Sequence, residues 1–221
     1  MKKSNYCYIS ILLSILVLST GFISSCTSPQ QTSTENGILI FQDDFTDPKS
    51  GWFIYKADST RGGAYEQGDY NVWAEGKNTV IALNPKTRQQ LKDFSAEVDI
   101  RETSPIRGAV LGIIYRLDNA GYYYRFAITD NRTFYVGKKS EFGVEEEVYP
   151  QTPSDTIKPA EEYNHLKVVC KGENQDFYIN GTKLASLTDN TSLKGELGIL
   201  FSNWAVSENY TFTNFKLYEL K

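Results

Sequence analysis

Between residues 94 and 139 the chain alternates apolar and polar positions, or runs apolar, over strand-length segments. They read FSAEVDIRE, GAVLGIIYR, GYYYRFAIT and RTFYVGKK. Tyr, Phe, Val, Ile and Thr dominate, which suits a pleated, half-buried surface. Breaks carrying Pro, Gly, Asn and Asp separate the segments at 103–107, 117–120 and 130–131. The pattern predicts an antiparallel meander of four strands. Alternation in the first strand puts Glu97, Asp99 and Arg101 on one face and Phe94, Ala96, Val98 and Ile100 on the other. In the third, Tyr123, Arg125 and Ala127 share a face opposite Tyr122, Tyr124, Phe126 and Ile128.

The same reading places further strands at 38–42, on either side of Gly68, and at 79–83, 164–171, 176–179, 182–187, 195–201 and 210–218. Asn180-Gly181 marks a two-residue hairpin turn, because both residues tolerate the positive φ such a turn demands. Residues 85–92 are polar and fit one helical turn. Glu145-Glu146-Glu147 reads as a solvated edge, and 149–159 as a long loop. No segment sustains a helical period, so many short strands at this spacing predict an all-β sandwich or barrel.

The beginning of the chain has a different character. Lys2 and Lys3 precede an apolar stretch from Ile9 to about Phe22, thinned by serines and too short for a comfortable bilayer span. It closes on Ile23-Ser24-Ser25-Cys26, which resembles the bacterial lipobox. That resemblance implies a lipoprotein signal peptide over 1–25, cleavage before Cys26, and lipidation of Cys26 as a membrane anchor. Residues 27–36, TSPQQTSTEN, hold nothing to bury and read as a tether. Residues 26–37 therefore form the lipidated Cys and its flexible link, and 38–221 one well-cored domain. The expected location is extracytoplasmic, on the outer membrane if the host has two membranes.

Removing both signal lysines leaves 21 basic and 27 acidic residues, a net charge of −6. An acidic domain without a basic cluster argues against nucleic-acid binding. With Cys7 in the signal and Cys26 carrying lipid, only Cys170 remains, so the mature domain has no internal disulfide. Cys170 lies in an apolar run and reads as a small core residue. A single histidine, His165, excludes a His-cluster metal site.

The order DDFTDPKSGW, FSAEVDIR, GIIYR, YYYRFAI, NHLKVVCKG, DFYING, GELGILFS and FTNFKLYEL resembles bacterial concanavalin A-like or LamG-like jelly-roll domains of the keto-disaccharide hydrolase-like type. The resemblance covers nearly all of 38–221. It implies a two-sheet antiparallel jelly-roll sandwich, with sugar bound on the concave sheet or at its rim. This fold carries lectins, carbohydrate-binding modules, adhesion domains and glycosidases alike.

Several residues are candidates for chemistry. Glu97-Val98-Asp99-Ile100-Arg101-Glu102 resembles the E-x-D-x-x-E string of jelly-roll glucanases, although Glu102 joins the Glu97 face only through a bulge. Its early position in the chain and the missing Trp-rich context favour a polar strand face paired across strands. A face combining Glu97, Asp99, Arg116, Tyr123 and Arg125 would suit a polyhydroxylated ligand, through forked donors and rings, or would be a salt-bridged surface. Trp204, in a predicted loop, is the best stacking residue, whereas Trp52 is expected to pack between the sheets. Asp43, Asp44 and Asp47 could ligate calcium, or could cap their own turns. The expectation is a lipid-anchored module binding a glycan or another envelope ligand without catalysis. The alternatives are a glycoside hydrolase using Glu97, Asp99 and Glu102, and a structural or protein-interaction lipoprotein.

Overall fold

A computed structural model describes residues 37–58, 61–74, 78–103, 108–140, 143–203 and 208–221. The lipobox-like stretch, Cys26, the expected tether over 27–36 and Trp204 lie outside the described residues. Among these residues there is no helix. Fifteen strands run in chain order: β1 (Ile38–Asp43), β2 (Tyr55–Asp58), β3 (Arg61–Glu66), β4 (Asp69–Ala74), β5 (Asn78–Leu83), β6 (Phe94–Glu102), β7 (Ala109–Leu117) and β8 (Tyr123–Thr129), then β9 (Thr133–Lys139), β10 (Glu145–Pro153), β11 (Asn164–Lys171), β12 (Asn174–Ile179), β13 (Thr182–Thr188), β14 (Glu196–Asn203) and β15 (Glu208–Glu219).

They form two antiparallel sheets. The larger runs β13-β12-β11-β6-β15-β4-β3-β2, and the smaller β10-β9-β8-β7-β14-β5. The long β15 gives one edge to β6. It shares the other between β4 along its first half and β1 along its second. The strand spacing predicts such a sandwich, and the jelly-roll arrangement is the one that the resemblance implies.

The core lies between the sheets and follows the predicted alternation. Phe94, Ala96, Val98 and Ile100 of β6, Leu166, Val168 and Cys170 of β11, and Phe177 and Ile179 of β12 face inward. Opposite stand Leu111, Ile113 and Tyr115 of β7, Tyr124, Phe126 and Ile128 of β8, and Phe201 of β14. Full burial of one such aliphatic or aromatic side chain is worth about 1.5–3 kcal/mol. Trp52 is packed in the core as expected, edge-on to Phe215 with ring centroids 5.1 Å apart.

Three expectations are corrected. The meander begins at β7, not β6. β7, β8, β9 and β10 pair in sequence, whereas β6 belongs to the other sheet, between β11 and β15. Period-two alternation fixes which side of a strand is apolar, not which sheet it joins. The loop expected at 149–159 begins as strand β10, because Val148 and Tyr149 pack on the core and Tyr149 stacks on Phe134 at 5.5 Å. Residues 85–92 make turns and a single bridge between Leu91 and Gly195, without a helical turn. The hairpin at Asn180-Gly181 forms as read, with φ of 49° and 82°.

Phe177, fully buried with its ring 5.0 Å from that of Phe126, reports on the core directly. Phe177→Ala should cost about 3–5 kcal/mol in urea unfolding. Phe53→Ala, at an exposed position, should change stability by less than about 0.5 kcal/mol. Equal effects of the two substitutions would contradict the layer assignment.

Candidate functional site

The sandwich separates residues that the sequence places on one face. Glu97 and Asp99 point outward from the larger sheet, whereas Tyr123 and Arg125 point outward from the smaller. A core thus lies between the two pairs. Arg116 belongs to neither face. It has 0% exposure and a φ of 54°, at the point where β7 and β14 shift register. Its guanidinium donates to the carbonyls of Ser192 (2.9 Å) and Gly172 (2.5 Å), tying the end of β7 to two loops. A Cβ at Gly195 would come within 2.6 Å of the Arg116 Cα, so this passage requires glycine. Arg116 is structural, and the five-residue face expected from alternation does not exist.

The glucanase-like string is not assembled either. β6 carries no extra residue from Glu97 to Glu102; the bulge opposite Asp99 and Glu97 belongs to β15. Glu102 therefore keeps the parity of Ile100 and lines a small pocket at the end of the sandwich with Ile100, Leu111 and Ile128. It stands on the opposite side of the strand from Glu97 and Asp99.

Glu97 and Asp99 instead take part in a cluster centred on His165. In the antiparallel register His165 of β11 faces Asp99, and Lys167 faces Glu97. On the other side β15 sets Thr213 against Asp99 and Lys216 against Glu97. The extra residue of the bulge is Asn214, with φ 52°, and its amide donates to Asp99 Oδ2 at 2.8 Å. His165 Nδ1 contacts Asp99 Oδ1 at 2.7 Å, and Nε2 lies 3.6 Å from Glu97 Oε2, an ion-pair distance rather than a hydrogen bond. Lys216 Nζ is 3.5 Å from Glu97 Oε1.

The charges hold one another in place. Hydrogen bonding to Asp99 and contact with Glu97 outweigh burial and raise the His165 imidazole to about 9. Burial would raise Glu97, but His165, Lys216 and Lys167 bring it below its ordinary value. Asp99 is likewise lowered against burial, by His165, Asn214 and Lys216. The result is an imidazolium between two carboxylates. The sequence pointed to both acids but not to His165, whose only signal was its parity with Lys167 on a strand that could pair with β6.

Beside this cluster lies an open cleft of about 320 Å³ lined by Gln42, Asp43, Asp44, Asp47, Ser50, Asn214, Phe215 and Lys216. The calcium candidates thus come next to the acid pair, through Asn214 and Lys216. Each aspartate also serves its own turn. Asp43 accepts from the Phe45 N–H and the Trp52 indole N–H, both at 2.8 Å, and Asp47 accepts from the Lys49 N–H at 2.9 Å. Asp44 accepts from the backbone and hydroxyl of Thr46, which hold it below the usual carboxylate range. Among the described residues no group of three or more His, Cys, Asp or Glu is arranged to hold a metal ion.

Further along the same outward face, Asp69 receives Arg101 Nη2 at 3.4 Å and the Tyr163 hydroxyl at 3.1 Å. Arg101 lies over the Tyr163 ring at 4.7 Å, and its Nε is buried without a hydrogen-bond partner. Trp73 is half-buried against Gly62, where a Cβ would come within 1.8 Å of the indole. Across the molecule, Arg125 is held by Glu145 at 2.8 Å and lies 5.1 Å from the Tyr135 ring centroid. Burial pushes the Tyr123 and Tyr135 hydroxyls up to about 12.

Residues 20–217 match the family described as a 3-keto-alpha-glucoside-1,2-lyase-like domain. No curated protein sequence matches the chain. Solved structures with the same fold include the carbohydrate-binding module CBM66 of Bacillus subtilis, with a TM-score of 0.58, 18% identity, and coverage of 77% of this chain and 96% of that one. The catalytic domain of an endo-1,3-beta-glucanase (laminarinase) from Thermotoga petrophila aligns with a TM-score of 0.59 at 12% identity, over 85% of this chain and all of that one. A protein of unknown function with a galectin-like fold, also from Bacillus subtilis, has a TM-score of 0.58 at 12% identity, covering 84% and 97%. At these identities the likeness concerns the fold.

As the chain has one histidine, its imidazole titration can be followed without assignment ambiguity. The midpoint should lie near 9, and Asp99→Asn should lower it. A midpoint at or below 6.5 would dissolve the cluster. Stabilisation from the raised His165 is complete below its ordinary value of 6.5 and lost as pH rises through about 9. That from the lowered acids is present above 4.5 for Glu97 and 3.8 for Asp99, and lost as pH falls below them. Chemical unfolding should therefore show the cluster's full contribution between about pH 5 and 6.5.

Proposed function

From the chain's membership of the 3-keto-alpha-glucoside-1,2-lyase-like domain family, we propose that it is a lipid-anchored, extracytoplasmic module that binds carbohydrate without cleaving it. The ligand site is the cleft beside Asp44, Asn214 and Lys216 together with the outward edge of the Glu97–His165–Asp99 cluster. The observation that carries this reading is the charge state of that cluster. Glycoside hydrolysis requires one carboxyl kept protonated to serve the leaving group. Glu97 and Asp99 are both driven towards the ionised form. Ionised acids, an ammonium and an amide fixed by cross-strand partners offer instead a preorganised set of donors and acceptors for sugar hydroxyls. A cleft of about 320 Å³ falls in the size range of small-ligand sites.

A second reading follows from the same charges. Elimination from a 3-keto sugar needs a base for the proton beside the carbonyl and an acid for the departing oxygen. Ionised Glu97 or Asp99 and protonated His165 are in those two forms. Their mutual contacts would have to open for substrate. Incubation with a 3-keto-α-glucoside separates the readings: release of the aglycone, lost in both Glu97→Gln and His165→Gln, would establish the lyase.

For the binding reading, a glycan array followed by calorimetry should identify a ligand for which Asp44→Ala and Lys216→Ala each weaken binding by about tenfold. Arg125→Ala, on the other sheet, should leave affinity unchanged. The titration repeated with calcium and with a chelator tests whether Asp43, Asp44 and Asp47 use an ion. A ligand whose affinity depends on Arg125 and not Lys216 would move the site to the smaller sheet. The anchor is tested separately: intact mass of the purified protein should show acylation at Cys26, absent in Cys26→Ser.

A further inference from the structure

A second groove on the larger sheet adjoins the acid cluster through Lys167, which faces Glu97. It has a volume of about 450 Å³ and is formed where the described chain begins and ends. Lys167, Lys171 and Lys221 line it. The one acid in its wall, Asp176, is held by Lys183 at 2.7 Å. Lys171 and Lys221 thus put positive charge here, on a domain whose sequence beyond residue 26 is net negative, while Lys167 also faces Glu97 and Glu219 stands opposite Ile38. Ile38, in the groove wall, and its neighbour Leu39 are 49% and 44% exposed.

We propose that this groove is the surface by which the domain docks on the anionic headgroups of the membrane that anchors it. The inference rests on the reading of Cys26 as the lipidated residue. The position at which the undescribed chain joins the structure supplies the occupant. Only ten residues, 27–36, separate Cys26 from Gly37 at the groove wall. Ten residues of chain reach no further than about 36 Å even at full extension. An ammonium cluster held so near a bilayer is within reach of lipid phosphates, which attract juxtamembrane lysines and are screened over about one Debye length. The exposed Ile38 beside the lysines completes the combination of charge and apolar contact that holds a surface at the headgroup boundary.

The orientation has a consequence for the sugar site. β1 leads from Ile38 in the groove to Asp43 in the cleft. Five residues of extended strand separate the two by about 17 Å. The cleft therefore lies along the sheet from the docking groove and is not covered by it.

The test uses the full lipidated chain on vesicles of phosphatidylcholine alone or with phosphatidylglycerol, followed by amide exchange. Residues 37–41, 167–171 and 220–221 should exchange about tenfold more slowly on the phosphatidylglycerol vesicles, and high salt should remove the difference. Lys171→Glu with Lys221→Glu should abolish it while thermal unfolding stays unchanged. Equal exchange on both lipids, or protection that survives the double substitution, overturns the proposal. So does protection by the soluble polyanion heparin with none from vesicles. Failure of the anchor reading has a different signature: no acyl mass on Cys26, and release from phosphatidylcholine vesicles in high salt.

Discussion

Strand β6 carries the constraint on which both halves of the molecule depend. Its side chains must alternate, and the two rows it presents are chemically opposite. Phe94, Ala96, Val98 and Ile100 are sealed in the core, while Glu97, Asp99 and Arg101 face outward among charged partners. A one-residue slip would carry two carboxylates and a guanidinium between the sheets and expose the apolar row. Neither neighbour permits it. β11 and β15 both pair with β6 in registers that set His165 and Lys216 against the acids. Hydrophobic burial thus sets the register, and the register places the charges.

The outward cluster shows how a sheet surface keeps charges fixed without a deep pocket. Glu97 is only 7% exposed although it stands on an outer face. Its cover consists of the stems and rings of its own partners. Removing acids from water in this way is unfavourable unless they are paired. His165 supplies a positive charge within reach of both, and the bulge at Asn214 adds a donor that a regular strand would not direct there. Arg116 shows the opposite use of a similar side chain. Wholly buried, it spends its donors on backbone carbonyls and joins loops rather than meeting a ligand.

The jelly roll serves proteins that bind sugars and proteins that cut them, so architecture leaves the distinction to individual groups. Here the clustered polar and charged groups are concentrated on the larger sheet. One end of that face has the cleft with its aspartates, the middle has the imidazolium and acids, and the far end has Arg101, Tyr163 and Trp73. The outer side of the smaller sheet holds a second buried cluster of Ile114, Tyr123 and Leu200, with Arg125 already engaged by Glu145. The asymmetry gives the two faces different capacities for polar recognition.

The local features of this domain were determined by its sequence: most of the strands, the side of each that is apolar, the Asn180-Gly181 turn, the burial of Cys170 and Trp52, and the outward pair Glu97 and Asp99. Each depends on neighbours within a few residues, where period-two alternation and turn chemistry operate. Tertiary structure alone decided which strands became neighbours. It moved β6 out of the expected meander, placed Tyr123 and Arg125 across the core from the acids, turned Arg116 inward at a left-handed residue, and set His165 against Asp99, 66 positions away in the chain. Alternation specifies a face but carries no information about the partner strand. That choice is made by packing two complete sheets against one another, so a site built from side chains of β1, β6, β11 and β15 exists only once the sandwich has closed.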